Sequence, residues 1–198
     1  MASSSFDVIL LAAGLSARMG HVNKLLIEVD GMPLIRRSAA LYCDLGMRVT
    51  AVLGHQADLV CADLEGLPLQ TVLNADYATG QQSSIRTGLS AASLQGEGLL
   101  MALGDQPLLE KEDISELCET FLKSGDKKIL IPHFEGKRGN PVVLPAKLAR
   151  QMRANDILPR KFMDTHPELT SCYNAATPNF TTDLDTQDDM DRLLSAND

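Results

Sequence analysis

The stretch that most restricts what this chain can fold into is FDVILLAAGLSARMGHVNK, Phe6 to Lys24. Val8 to Leu11 is an unbroken apolar run, and a short run without alternation suits a strand covered on both faces, as in a parallel sheet. It leads directly into Ala12, Ala13 and Gly14, then into a polar segment carrying Ser16, Arg18, Gly20 and Lys24. Small residues just after a buried strand let main-chain amides approach an anion, and cations a turn further on can meet its oxygens. A nucleoside triphosphate is the expected guest. The stretch is neither GxGxxG nor GxxxxGKS/T, because only Gly14 and Gly20 occur and Lys24 has neither Gly before it nor Ser or Thr after it. Taken alone, it also reads as a glycine-bearing turn with two solvated cations.

Downstream, strand and helix patterns alternate. Residues 25–29 lead to a turn at Asp30-Gly31, and Pro33 can sit in the first turn of a helix to about Leu45, with Gly46 ending it. Strands are expected over 48–53, 69–73 and 98–103, with helices over 56–64 and 82–94 between them. The second half gives helix 113–122, strand 128–132, a tight turn at Gly139-Asn140-Pro141 into 142–144, helix 145–153 and strand 170–175. It closes with a helix over 186–194, Thr186 at its N-cap. Such alternation implies one α/β domain over residues 1–198, with a mostly parallel sheet and helices on both faces. Residues 1–5 and 195–198 are expected to be loose ends.

Composition narrows the function. A net charge of −8 and a pI near 4.9 argue against a nucleic-acid groove, which needs a basic face. In so acidic a chain, a triphosphate requires a local cluster of Arg and Lys and a divalent cation. The cysteines, at 43, 61, 118 and 172, form no CxxC pair and are expected to be buried reduced thiols. The histidines show no HxxxH or HExxH spacing, which weighs against zinc. VILLAAGL has the character of a signal-peptide core, but no basic region precedes it and Asp7 interrupts its start. No run reaches the roughly 18 apolar residues that span a bilayer. A cytoplasmic location without membrane partner is expected.

Ligands on parallel sheets bind beyond the carboxyl ends of the strands, and three groups fall there. Asp105 follows a buried strand and precedes Gln106-Pro107, where it can serve a magnesium ion that takes one or two carboxylates plus phosphate and water; opening a turn before proline is the alternative role. In TTDLDTQDD, Asp183 and Asp185 point to opposite sides of an extended segment, so only one can face Asp105; Asp185 is preferred and Asp183 held in reserve. In NADYATGQQSSIRTGL, Asn74 follows a strand, Gly80 permits a bend, and Ser83 and Ser84 open a helix. That composition suits a ribose and base pocket, and no GxSxG or SxxK marks either serine as a nucleophile.

These blocks together resemble the MobA-like nucleotidyltransferases, and within them the molybdenum cofactor cytidylyltransferases of MocA type. The matching residues are LAAGLSARMG followed by Lys24, Asn74 with Tyr77, Gly80 and SSIRTGL, GDQPLL at 104–109, GNPVVL at 139–144 and DLDTQDD at 183–189. The resemblance implies a Rossmann-like fold and magnesium-dependent transfer of a nucleoside monophosphate with release of pyrophosphate. It places Leu11, Ala12, Ala13, Gly14, Ser16, Asn74, Gly80 and Ser84 around the nucleotide, and Arg18 and Lys24 on the triphosphate. Asp105 and Asp185 would hold Mg2+, with Arg18, Lys24 and Asp105 as the catalytic set.

Guanylyltransferase relatives tend to carry LAGG where this chain has Ala13, so CTP is the expected nucleotide and the phosphate of molybdopterin the acceptor. Gln106, Asn140, Asp156 and Arg160 would face that acceptor. In NDILPRKFM, residues 155–163, the cytidylyltransferases read close to GDxGxRxLL; Asp156 and Arg160 persist, while Asn155 and Leu158 replace both glycines. A molybdenum hydroxylase apoenzyme is a further expected partner. Competing readings are a guanylyl or sugar-phosphate transferase of the same fold, and a cofactor carrier without turnover. Redox chemistry is more distant, since no GxGxxG with a later acidic residue is present.

Overall fold

The computed structural model describes residues 5–16, 22–184, 186 and 189. Strand β1, Phe6–Ala12, is buried throughout. Phe6, Val8, Leu10 and Ala12 enter one apolar cluster, Ile9 and Leu11 the other. This two-sided burial is why its sequence does not alternate. There follow β2 (Glu28–Val29), β3 (Met32–Pro33), α1 (Leu34–Asp44), β4 (Arg48–Leu53), α2 (Ala57–Asp63), β5 (Leu69–Leu73), α3 (Gln81–Ala91) and β6 (Gly98–Leu103). The second half carries α4 (Lys111–Lys123), β7 (Ile129–Phe134), β8 (Lys137–Arg138), β9 (Val142–Pro145), α5 (Ala146–Ala154), α6 (Pro159–Thr165) and β10 (Thr170–Asn174).

The main sheet has eight strands in the order β10-β7-β9-β6-β1-β4-β5, with β8 on β7; β2 and β3 form a separate hairpin. β1 runs parallel to β4 and β6, β4 to β5, and β7 to β10. β9 lies antiparallel between β6 and β7. Helices α1, α2 and α4 cover one face of the sheet, and α3, α5 and α6 the other. The doubly covered, mostly parallel α/β architecture is the one expected. Among the described residues, no helix is long and apolar enough to cross a membrane.

Several boundaries differ for local reasons. Pro33 pairs with Glu28 in the hairpin and precedes α1 rather than opening it. Helix α3 stops at Ala91, because Ala92 turns extended with ψ 143°, after which Leu94 adopts a left-handed φ of +53° and buries itself in the core. β8 and α6 have two and seven residues, too few for a periodic signal. Cys43 and Cys118 are buried as expected, whereas Cys61 on α2 and Cys172 on edge strand β10 are exposed. Of the expected C-terminal helix, Thr186 and Asp189 are described: the Thr186 amide donates to Asp189 Oδ2 and the Asp189 amide to Thr186 Oγ1, a reciprocal cap. Otherwise that helix, and the expected loose ends apart from Ser5, lie outside the described residues.

Candidate active site

From β1 the chain builds outward through β4 and β5, then crosses back to place β6 on the other side of β1. The strand order reverses between β1 and β6, the place where open α/β sheets bind ligands. A cleft of about 650 Å³ opens there, and Ala13, Ser16, Lys24, Tyr77, Asp105 and Asp183 are among its walls.

The loop after β1 is stitched at its base. Ser16 takes a left-handed φ of +51°. Its hydroxyl accepts from the Lys24 amide at 3.2 Å and donates to Asn23 Oδ1 at 3.5 Å. Asn23 Oδ1 also accepts from the Leu25 amide at 3.1 Å, capping the 3-10 turn Lys24–Leu26. The cap fixes where Lys24 starts, and its ammonium reaches Asp105 Oδ2 at 2.5 Å. These two side chains are only 13% and 18% exposed. Asp105 Oδ1 is buried and has no hydrogen-bond partner.

Asp105 is held from behind. The Gly104 amide donates to Leu11 O at 3.0 Å, and Ser38 Oγ of α1 donates to Gly104 O at 3.0 Å. A Cβ on Gly104 would lie 2.9 Å from Ile35 Cδ1, so this glycine serves the close packing of α1 on the sheet. On the other side, the Leu184 amide donates to Asp105 O, and Leu184 buries itself with Val29 and Leu34. That anchor brings Asp183 to the cleft. Asp185, the preferred metal partner, and Arg18, expected on the triphosphate, lie outside the described residues.

The far wall comes from the turn into α3. Gly80 at φ +115°, a conformation that suits glycine, together with Ser84 and Gln81, lines the cleft. Gly54 lies between Ala13 and Tyr77, where an added Cβ would sit 2.7 Å and 2.6 Å from their Cβ atoms. Tyr77 and Ala13 are therefore set against one another across a glycine.

The structure brings most of the expected site residues to the cleft and leaves others off it. Leu11, Ala13, Gly14, Ser16, Lys24, Gly80, Ser84, Asp105 and Asn140 line the cleft. Ala12 instead faces the core, as the alternation of a strand requires. Asn74 is 3% exposed; its amide nitrogen donates to the hydroxyls of Ser83 and Ser84, and its oxygen accepts from the Asp76 amide. With these partners it ties β5 to α3 and does not line the cleft. Gln106 is likewise buried, donating to Phe180 O, which also accepts from the Asn140 amide. It pins the C-terminal segment that carries Asp183.

Asp156 pairs with Arg86 at 2.8 Å on the surface, away from the cleft. Exposed Arg160 of α6 neighbours Arg138, whose proton affinity is lowered by burial and by that second guanidinium. Asn23, Tyr77 and Gln81 are the contributors that sequence reasoning left out of the site. Asn23 carried a readable signal as a capping residue just before a short helical turn, and Tyr77 stood beside Asn74 in one of the matching blocks.

The donor set fits a hard divalent cation. It offers oxygens alone, with one buried carboxylate oxygen lacking a partner and a second carboxylate, Asp183, on the same cleft. Among the described residues, no group of three His, Cys, Asp or Glu forms an all-protein metal cage.

A cleft at the strand-order reversal, with a cation-bearing loop facing a strand-end carboxylate, defines a nucleotide-handling α/β enzyme. Residues 8–168 match the MobA-like NTP transferase domain, and the chain belongs to that family of nucleotidyltransferases. It is 29% identical over 194 residues to the nicotine blue oxidoreductase of Paenarthrobacter nicotinovorans, covering 94% of this chain and 95% of that protein. It is 28% identical over 143 residues to the molybdenum cofactor cytidylyltransferase of Escherichia coli K12, covering 71% and 70%. Two relatives named molybdenum cofactor guanylyltransferase, one of them as probable, match over 56% and 63% of this chain. A nucleotidyl transferase from Methanothermobacter thermautotroptrophicus superposes with a TM-score of 0.77 at 20% identity, over 97% of this chain and 99% of that one.

Proposed function

We propose that the protein transfers CMP from CTP to the phosphate of a molybdopterin-type acceptor, releasing pyrophosphate. The observation that carries the transfer reading is the pairing of Lys24 with Asp105 across the strand-order reversal, beside a carboxylate oxygen that lacks a partner. The acceptor phosphate is largely ionised at neutral pH, so attack in line on the α-phosphorus needs no general base. The P–O bond to the acceptor forms as that to pyrophosphate breaks, and the leaving group takes the bonding pair. Lys24 neutralises charge on the departing oxygens, the loop from Ala13 to Ser16 holds the nucleotide, and Asn140, which lines the cleft, meets the acceptor. Asp105 with Asp183 or Asp185 would hold Mg2+, whose chemistry is to screen the phosphate charge.

The base preference rests on Ala13. Ala13 lines the cleft beside Gly54, and a methyl group at that point takes space that a purine would need. Pyrophosphate release with molybdopterin and each nucleotide in turn tests this: CTP is expected to support turnover. Release from GTP with none from CTP would overturn the base assignment.

The similarity to nicotine blue oxidoreductase across nearly the whole chain favours a second reading, oxidation or reduction of such a compound. Nicotine blue turnover with NADH or NADPH, and no pyrophosphate from any nucleotide, would replace the transferase reading with this one.

A further inference from the structure

The cation meant for the triphosphate and the carboxylate meant for the metal are bonded to each other. Lys24 Nζ stands 2.5 Å from Asp105 Oδ2, in a spot where both side chains are less than one-fifth exposed, while Oδ1 of the same carboxylate accepts nothing. Resting on the transferase reading, we propose that this pair makes metal and polyphosphate bind interdependently. Each alone meets the pair as an obstacle, and together they exchange partners with it.

The reason is charge. A divalent cation at Oδ1 with Lys24 still on Oδ2 puts two like charges around one carboxylate, in a site where solvent screens weakly. A polyphosphate entering without metal draws Lys24 away and faces the bared Asp105 carboxylate. When both enter, phosphate oxygens would accept from the Lys24 ammonium and leave Asp105 to hold the cation, so every charge has an opposite neighbour. Linkage requires the effect to be reciprocal: whatever factor polyphosphate adds to metal affinity, metal adds to polyphosphate affinity.

The signature lies in crossed substitutions. Lys24→Met is expected to bind Mn2+ alone at least fivefold more tightly than wild type, read from the paramagnetic resonance of free Mn2+ without nucleotide. Asp105→Asn is expected to bind inorganic tripolyphosphate in EDTA at least fivefold more tightly, read by titration calorimetry. A purely structural role for the pair would not improve either ligand.

The direct effects test the site itself: Asp105→Asn should weaken Mn2+ and Lys24→Met should weaken tripolyphosphate. If neither direct loss is seen, the reading of the cleft falls, and the coupling with it. If both direct losses are seen but the crossed gains are absent, the coupling alone falls. Lys24→Gln and Asp105→Ser serve the same tests should the first variants not fold, as judged by circular dichroism.

Discussion

Asp7 at the amino end of β1 and Asp105 beyond the carboxyl end of neighbouring β6 each face a basic side chain, yet they differ in how much of the carboxylate is used. Asp7 is 1% exposed and takes four donors: Arg48 Nε and Ser93 Oγ on Oδ1, Arg48 Nη2 and the Gly96 amide on Oδ2. Burial alone would raise its pKa. The hydrogen bonds from Arg48, Ser93 and Gly96, together with the Arg48 charge, outweigh burial and hold the carboxyl below its ordinary range. Asp105 has Lys24 on one oxygen and nothing on the other. A buried polar atom without a partner costs about 1–3 kcal/mol, and a cleft is where a ligand can supply what is missing. Completed hydrogen bonding marks the structural carboxylate, and the incomplete one marks the site.

The sharpest way to break this comparison is to neutralise each acid in turn. Asp105→Asn should lower kcat for pyrophosphate release by about 10²–10³-fold, as expected for losing one preorganised charge contact, with little change in melting temperature. A loss of stability in place of activity would reverse the assignment.

Asp7→Ala should do the opposite, costing about 3 kcal/mol of unfolding free energy in urea titrations while leaving nucleotide affinity at the wild-type value. Because the folded pKa of Asp7 is depressed, its contribution is fully present above the unfolded value of about 3.9 and lost as pH falls through the folded value. Wild type should therefore lose stability more steeply than Asp7→Asn below about pH 4, which melting curves from pH 2 to 6 will show. Parallel curves would mean the network does not hold the charge.

Gly54→Ala sharpens the ligand side. The new methyl would press on both Tyr77 and Ala13, and overpacking of this kind costs about 1–3 kcal/mol. Its expected mark is roughly tenfold weaker CTP binding by calorimetry.

The smallest effect is assigned to Arg86→Ala. The Arg86–Asp156 pair is 48% and 72% exposed, so its removal should change stability by less than about 1 kcal/mol, and less still in 0.5 M salt.

The strands show what a sequence makes readable. β4, β5 and β6 fall on the expected residues because each is a short apolar or β-branched run closed by a breaker: Gly54 after β4, Asn74 after β5, Gly104 after β6. Helix α6 and strand β8 were not legible, since neither is long enough to complete a period. The same distinction runs through the site. Lys24 and Asp105 could be read as a triphosphate cation and a metal carboxylate from their places after strands. Asn74 and Gln106 occupy equally suggestive places and turn inward, Asn74 toward the Ser83 and Ser84 hydroxyls and the Asp76 amide, and Gln106 donating to the Phe180 carbonyl.

What the sequence by itself determined is the alternation of strand and helix, the membership of a nucleotidyltransferase family, and the small-residue loop after β1. These depend on side-chain size, period and chain-local turn chemistry. What only the tertiary structure decided is which polar groups are already satisfied. The partners of Asp7 come from residues 41 to 89 positions away, and Lys24 meets Asp105 across 81 positions of chain. Hydrogen bonds and ion pairs act over about 3 Å whatever the separation in sequence, so only the folded chain tells a finished carboxylate from one left open to a ligand.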